Sequence, residues 1–401
     1  MIVQSIAVIL ATAGSLVGVF AVYQLVLAIA AVFHRPHSGG EPRSRLVVLV
    51  PAHDEAALIA RCVESLRSQR YPTHLYSIVV IADNCTDETA SLAETAGAKA
   101  LVRDQPEARG KGHALRWGLE TVLRGTPPPD GVVVVDADSR AEPGFLAALV
   151  RPFERGAEAV QGESLLMADG APAHAALRAA AFLLVNHVRP RGRAVFGAPA
   201  TLAGNGMLFS RRLLLEQPWS AFTSAEDLEY SVALRLAGVR PVFARGAVLH
   251  SPAAPSPEAA VQQQLRWEGG KVHVARTQIP RLVATAMKER RPGLLETAFE
   301  LAVPPLGLLG AAAVAGTVAS GVAVLLGVPS WALVPWLVAL AAIPLYVLVG
   351  LLVAHAPASA YRALARAPVL LLPKILSARR LLAFRADTWV RTKRDDSGNA
   401  K

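Results

Sequence analysis

Apolar and polar positions fall into blocks along this chain. Residues 3–33 carry no charged side chain, and neither do residues 301–354, where a turn-like Gly327–Ser330 breaks the run. A helix needs about 20 apolar residues to cross a bilayer core. The pattern therefore predicts one span near the N-terminus and two near the C-terminus. A buried core hairpin would be shorter and would carry charge. The first block could be a secretory signal, but it has no basic leading region and is longer than such a signal needs. An uncleaved anchor is expected.

Between about 44 and 285 the pattern becomes strand and helix in alternation. Arg45–Ala52 reads as a buried strand, and Leu58, Ile59, Cys62, Val63 and Leu66 follow at helical spacing. Ser77–Asp83 is a second strand. Thr86 is placed to cap a helix that ends at Gly97, and Ala98–Asp104 is a third strand. A helix around Ala114–Leu123 leads to the valine strand Val132–Val135, and Pro143 suits the first turn of the next helix. Such alternation predicts an α/β, Rossmann-like, largely parallel sheet. Ligands of these sheets bind at the carboxyl ends of strands, where Asp83 and Asp136 fall. The expected organisation is an anchor at 1–34, a catalytic domain at 44–285, two transmembrane helices at 297–356, and a basic, amphipathic segment and tail at 357–401.

Composition fits that division. The chain has 401 residues, 53% of them hydrophobic and 18% charged, too apolar for an ordinary soluble enzyme. The net charge of +10 raises the question of nucleic acid. Much of the excess flanks the apolar blocks, where it meets anionic lipid, and no nucleic-acid motif is present. Arg35, Arg43 and Arg45 follow the first span, Lys288, Arg290 and Arg291 precede the second, and Arg362, Arg366, Lys374, Arg379 and Arg380 follow the third. The positive-inside rule places the central domain and the tail in the cytoplasm. Cys62 and Cys85 have neither metal nor disulfide spacing.

The valine strand runs straight into Asp136-Ala137-Asp138. Two close carboxylates repel each other unless something positive joins them. Mg²⁺ or Mn²⁺ is commonly held by a few protein oxygens and a substrate diphosphate. Aspartates capping the next helix would have the same letters. A Walker B strand would also end in Asp, but no G-x-x-x-x-G-K-[ST] accompanies it. Arg109–Leu115 also fails G-x-G-x-x-G, because Leu115 stands where the third glycine belongs. That stretch can still bring Lys111 and backbone N–H groups to an anion at a helix start. Ser224–Tyr230 carries Glu226, Asp227 and Glu229. Acidic residues favour a first helical turn without any function, yet a carboxylate near a metal could remove a hydroxyl proton. Gln263–Lys271 offers an amide, a guanidinium suited to phosphate in Arg266 and a flat indole in Trp267.

Taken in order, VPAHDEA, IADNCTDET, RGKGHAL, VDADS, GNGM, AEDLEY and QQLRW resemble the motifs of membrane-bound family 2 glycosyltransferases, the group with cellulose, chitin, hyaluronan and poly-N-acetylglucosamine synthases. The resemblance covers about residues 46–275. It implies a GT-A fold and an inverting hexosyl- or N-acetylhexosaminyltransferase that uses a nucleotide-sugar, most often a UDP-sugar. Pro51, Ala52 and Glu55 would line the nucleotide pocket, Asp83 would accept from the uracil, and Lys111 would lie near the base or diphosphate. Asp138, helped by Asp136, would bind Mg²⁺ or Mn²⁺. Asp227 would be the general base, with Glu226 beside it. Arg266 would hold the diphosphate. Gln263 and Trp267 would meet the acceptor, and Gly204, Asn205 and Gly206 would lie near the transferred sugar.

Two departures bear on this. Asn84 stands where many relatives have a second acidic residue, and three spans are few for a polymer exporter. One expectation is polysaccharide synthesis on a glycan acceptor at the cytoplasmic face of a bacterial inner membrane, with an oligomer or export partner completing a pore. A second is transfer of a single sugar to a lipid or lipid-linked acceptor. A third is a non-catalytic nucleotide-sugar-binding protein, which would have lost its base or metal ligand. The segment Tyr361–Leu382 and the Trp389–Arg394 stretch suit the membrane surface.

Overall fold

The structure is a computed structural model that describes residues 1–167, 173–254 and 256–365. In chain order it runs α1 (Ile2–Ala30), β1 (Leu46–Ala52), α2 (Ile59–Arg67), β2 (Tyr76–Asp83), α3 (Thr89–Thr95), β3 (Lys99–Arg103), α4 (Lys111–Leu123) and β4 (Gly131–Val134). The short β5 (Arg140–Ala141), α5 (Phe145–Phe153) and β6 (Ala159–Met167) follow. Next come α6 (Ala173–Leu183), α7 (Arg189–Val195), β7 (Met207–Ser210), α8 (Arg211–Glu216), α9 (Glu226–Leu236) and β8 (Val242–Pro252). The rest is helical: α10 (Pro257–Lys288), α11 (Gly293–Ala302), α12 (Leu306–Leu325), α13 (Val334–Val353) and α14 (Ala358–Ala365).

These elements form two compact units. The first holds residues 1–34, 173–196 and the described residues from 302 onward. Three of its helical stretches, Ile2–Phe33, Leu306–Leu325 and Ser330–Val353, are long and apolar enough to cross a membrane. Small residues let these helices approach. The Trp336 indole lies where a Cβ on Gly14 of α1 or on Gly316 of α12 would collide with it, and its Nε1 donates to Leu10 O at 2.9 Å. Gly192 of α7 lies against the Leu27 backbone with no room for a side chain.

The second unit is built on an eight-stranded sheet of order β3-β2-β1-β4-β7-β6-β8-β5. Strands β3, β2, β1 and β4 are mutually parallel. Strand β7 is antiparallel to both of its neighbours, while β6 and β8 run parallel. Helices cover both faces, which is why the strands read as continuous apolar runs rather than alternating ones. Val48, Val133 and Val135 face Ile59, Cys62, Leu66, Phe145 and Leu149 on one side. Leu49, Val132 and Val134 face Leu115, Leu119, Phe209, Trp219 and Tyr230 on the other. Ala225, just before α9, and Val232 of α9, Val274 and Leu282 of α10 and Leu294 and Ala298 of α11 form a further cluster.

The structure refines the sequence expectations at several points. Within 44–285, residues 173–196 belong to the first unit, because Ala180, Leu184 and Val188 pack with Ala28, Tyr346 and Ala360. The sheet is largely parallel, as expected, with β7 entering reversed. Thr86 does not cap α3: its N–H and hydroxyl are held by Asp54 Oδ1, and the helix begins at Thr89. Pro143 precedes α5, which Gly144 caps. The amphipathic segment to Leu382 and the Trp389–Arg394 stretch lie largely or wholly outside the described residues.

Candidate active site

Parallel strands β1, β2 and β4 end together, and several of the expected site residues lie at or beside those ends. At the end of β2, Asp83 is 5% exposed and forms an ion pair with Arg103, its register partner at the end of β3. Asn84 Nδ2 donates to the same carboxylate oxygen at 3.0 Å. Arg103 is also fixed through Nη2, which donates to Gln105 Oε1 at 2.8 Å and to Ala108 O at 2.9 Å. Arg103 did not stand out in the sequence. Its signal was a buried Arg closing a strand beside one that closes with Asp. Pro51 and Ala52 end β1 next to these groups. Glu55 donates its N–H to Thr89 Oγ1 at 2.8 Å, and His53 Nδ1 lies 2.7 Å from Asp83 O, so the loops after β1 and β2 are stitched together. Asp54, Cys85 and Asp87 also converge, but the two carboxylates already accept backbone N–H groups of Thr86, Ala56 and Thr89.

Lys111 opens α4 at the centre of the site. Gly110 before it has φ 112°, and a Cβ on Gly112 would lie 2.3 Å from Ala221 O, so the helix start needs glycine on both sides. Lys111 Nζ lies 2.5 Å from Asp136 Oδ1, 2.6 Å from Gly204 O and 3.7 Å from Glu226 Oε1. The Gly204–Gly206 loop approaches from the other side. Gly204 has φ 74°, and a Cβ there would lie 3.1 Å from Asp227 Oδ2. Gly206 N–H donates to Val134 O at 2.9 Å, which pins the loop to β4. Asn205 faces inward at 3% exposure, with Oδ1 accepting the Asp136 N–H at 3.0 Å. Beneath the turn, Cys62 Sγ lies 3.6 Å from Asp136 O, and burial pushes its pKa up, which keeps the thiol inert.

Four carboxylates thus surround one ammonium. Burial and the adjacent Asp136 raise the Asp138 pKa to about 6. Burial and the neighbouring Glu226 raise that of Asp227 to about 7. Burial also raises Glu226, against the pull of Lys111. Burial alone would lower Lys111, but Asp136, Glu226 and Asp227 outweigh it and hold the amine charged. Arg266, on α10, is pushed down by burial and supported by the charges of Glu226, Asp136 and Asp138, so it belongs to the same field. Helix α10 is held against the start of α9 at Gly270, where a Cβ would lie 2.9 Å from Ala225 Cβ. Gln263 and Trp267 sit four residues apart on α10, hence on one face, with Trp267 39% exposed. The Asp136–Asp138 pair offers hard oxygen donors in a site whose own fields resist carrying so much negative charge, and that fits Mg²⁺ or Mn²⁺.

Fold and site together define a GT-A-like protein. Residues 42–270, more than half of the chain, match the family described as glycosyltransferase like family 2, and the chain belongs to that family. It is 29% identical over 222 residues to a beta-monoglucosyldiacylglycerol synthase of Nostoc sp., covering 52% of this chain and 46% of that protein. It is 33% identical over 93 residues to the low-salt glycan biosynthesis hexosyltransferase Agl6 of Haloferax volcanii, covering 23% of this chain and 21% of that one. The chain therefore matches less than half the length of either relative. The structure of mannosyltransferase PcManGT of Pyrobaculum calidifontis, in complex with GDP-Man and Mn²⁺, superposes with a TM-score of 0.55 at 19% identity, covering 95% of this chain and 97% of that one. That likeness shows the fold.

Proposed function

We propose that this protein is a membrane-bound, metal-dependent inverting glycosyltransferase that moves one sugar from a nucleotide-sugar to a lipid or lipid-linked acceptor. The observation that carries this reading is the convergence of Asp136, Asp138, Glu226 and Asp227 around Lys111 at the ends of parallel strands. The lipid acceptor is favoured by the three long apolar helices among the described residues and by the diacylglycerol in the name of the Nostoc relative. Polymer synthesis is the second reading, favoured by Gln263, Arg266 and Trp267 on one helix. The basic flanks of the spans support a catalytic unit that faces the cytoplasm of a bacterial inner membrane.

In this reading Pro51, Ala52, Glu55 and Asp83 line the nucleotide pocket, with Asp83 held in place by Arg103. Asp138 and Asp136 would hold Mg²⁺ or Mn²⁺, which when bound offsets charge on the departing diphosphate. Lys111 and Arg266 add fixed positive charge for the same group. Asp227 takes the proton of the acceptor hydroxyl as that oxygen forms its bond to the anomeric carbon, while the bond from that carbon to the diphosphate breaks on the opposite face. A raised pKa suits this work, because a base near the ambient pH removes a proton effectively and stays available. Glu226 keeps that pKa high. Gly204 and Gly206 shape the floor beneath the sugar, and Gln263 and Trp267 offer the acceptor an amide and a flat apolar face. Incubating purified protein with UDP- and GDP-sugars, Mn²⁺ and membrane lipid, and sizing products by mass spectrometry, tests this. One added sugar on a lipid supports the first reading, and a ladder of products supports the second.

A further inference from the structure

The turn at Asp136–Ser139 and the loop at Gly204–Gly206 are joined by a closed hydrogen-bond circuit centred on one buried amide. A backbone N–H can only donate, so the Asp136 N–H, 3.0 Å from Asn205 Oδ1, fixes which way that amide points. Asn205 Nδ2 must then face the two serines. It donates to Ser139 Oγ at 2.8 Å and lies 3.4 Å from Ser251 Oγ, on β8. The serine oxygens are 3.0 Å apart, and Ser139 Oγ lies 3.3 Å from Asp138 Oδ1. An ionised carboxylate only accepts. Ser139 therefore gives its proton to Asp138, and Ser251 gives its proton to Ser139. The loop is braced from β6 as well, where Gln161 Nε2 donates to Asn205 O at 2.7 Å and Gln161 Oε1 accepts from Ala203 N–H at 2.9 Å.

The geometry points to Asn205 as the positioning residue of the metal-binding turn, acting on Asp136 through its backbone and on Asp138 through Ser139 and Ser251. This rests on the reading that Asp136 and Asp138 take a divalent cation. Two like charges one residue apart drift apart unless something else holds them, and the ordering must then be repeated whenever a cation binds. A single amide that fixes both carboxylates beforehand removes that cost. Asn205 is buried, and its side-chain oxygen and nitrogen are both engaged within the chain. Ser251 carries this role without any motif to announce it.

The test is a titration of the full chain in detergent with Mn²⁺ alone, in which free ion is read by electron paramagnetic resonance and folding by thermal unfolding without metal. Asn205→Ala, Ser139→Ala and Ser251→Ala are compared with wild type, and Ser251→Thr serves as the variant that keeps the hydroxyl. The expected result is a Kd for Mn²⁺ raised about tenfold or more in Asn205→Ala and Ser139→Ala. Ser251→Ala shifts in the same direction, and Ser251→Thr restores wild-type affinity. If Asn205→Ala fails to fold, the serine variants carry the same comparison. Wild-type affinity in the alanine variants, with wild type itself binding Mn²⁺, overturns the positioning role and leaves the metal reading standing. A wild-type protein that binds no Mn²⁺ overturns both.

Discussion

Lys111 places its ammonium 2.5 Å from one carboxylate oxygen of Asp136 and 3.7 Å from Glu226. This pairing answers the question raised by a valine strand that ends in two aspartates. The protein supplies part of the missing positive charge itself, from the first turn of the neighbouring helix. The remainder is left for a metal and Arg266.

Lys111→Met removes that charge while keeping the length of the side chain. Asp227 then ionises less readily, since Lys111 is one of the groups that favour its charged form. The ascending limb of kcat/KM against pH moves to higher pH. Glu226→Gln removes a negative neighbour of Asp227 and moves the same limb to lower pH. Opposite displacements in the two variants are the expected signature, read from pH profiles of nucleotide release.

The wild-type profile has its own sign. Burial and Glu226 hold the Asp227 pKa up, at about 7. A base works only when ionised, so kcat/KM falls by about tenfold per pH unit below that point and levels off above it. An activity that stays flat from pH 5 to pH 8 would show that no group of this kind limits the reaction.

Asp227→Asn tests the base directly. The amide cannot take a proton, so turnover falls by about a thousandfold. Donor affinity stays within about threefold, because the lost interaction belongs to the transition state. Isothermal titration with a nucleoside diphosphate and Mn²⁺ separates the two effects.

Arg103→Met leaves Asp83 buried without its cation. Breaking such a pair from one side costs about 3–5 kcal/mol. The cost is read as a lower midpoint of urea unfolding. Arg103→Lys restores the charge without the fork that reaches Gln105 and Ala108, and recovers only part of the loss.

How far the sequence carried can be judged from particular elements. Strands β1, β2 and β4 were legible because burial on both faces demands unbroken Val, Ile and Leu. The three long apolar helices were legible because no charged residue interrupts those stretches of sequence. Lys111, Asp136, Glu226 and Asp227 stood out as chemistry, but nothing local could bring residues 111, 204 and 227 together. Only sheet order does that, and β7 enters it reversed. Residues 173–196 were hidden for a related reason. Helices α6 and α7 join through a π-helical turn at Leu184–Val188, but Arg178, Arg189, Arg191 and Arg193 keep the stretch from reading as a span, and its place in the first unit depends on packing against α1, α13 and α14. Asn205 looked like a loop residue beside a sugar because its letters, Gly-Asn-Gly, say only that the backbone turns. Its partners, Ser139 and Ser251, lie 66 and 46 residues away.

The central claim is that this arrangement transfers sugar from a nucleotide-sugar. The most direct measurement is nucleoside diphosphate release by the purified full chain in lipid nanodiscs, offered a panel of UDP- and GDP-sugars, with Mn²⁺ or with chelator. Release with at least one donor that chelator stops and Asp227→Asn abolishes is the predicted result. Folded protein that binds Mn²⁺ and nucleotide yet releases nothing with any donor, or wild-type release from Asp227→Asn, would contradict it.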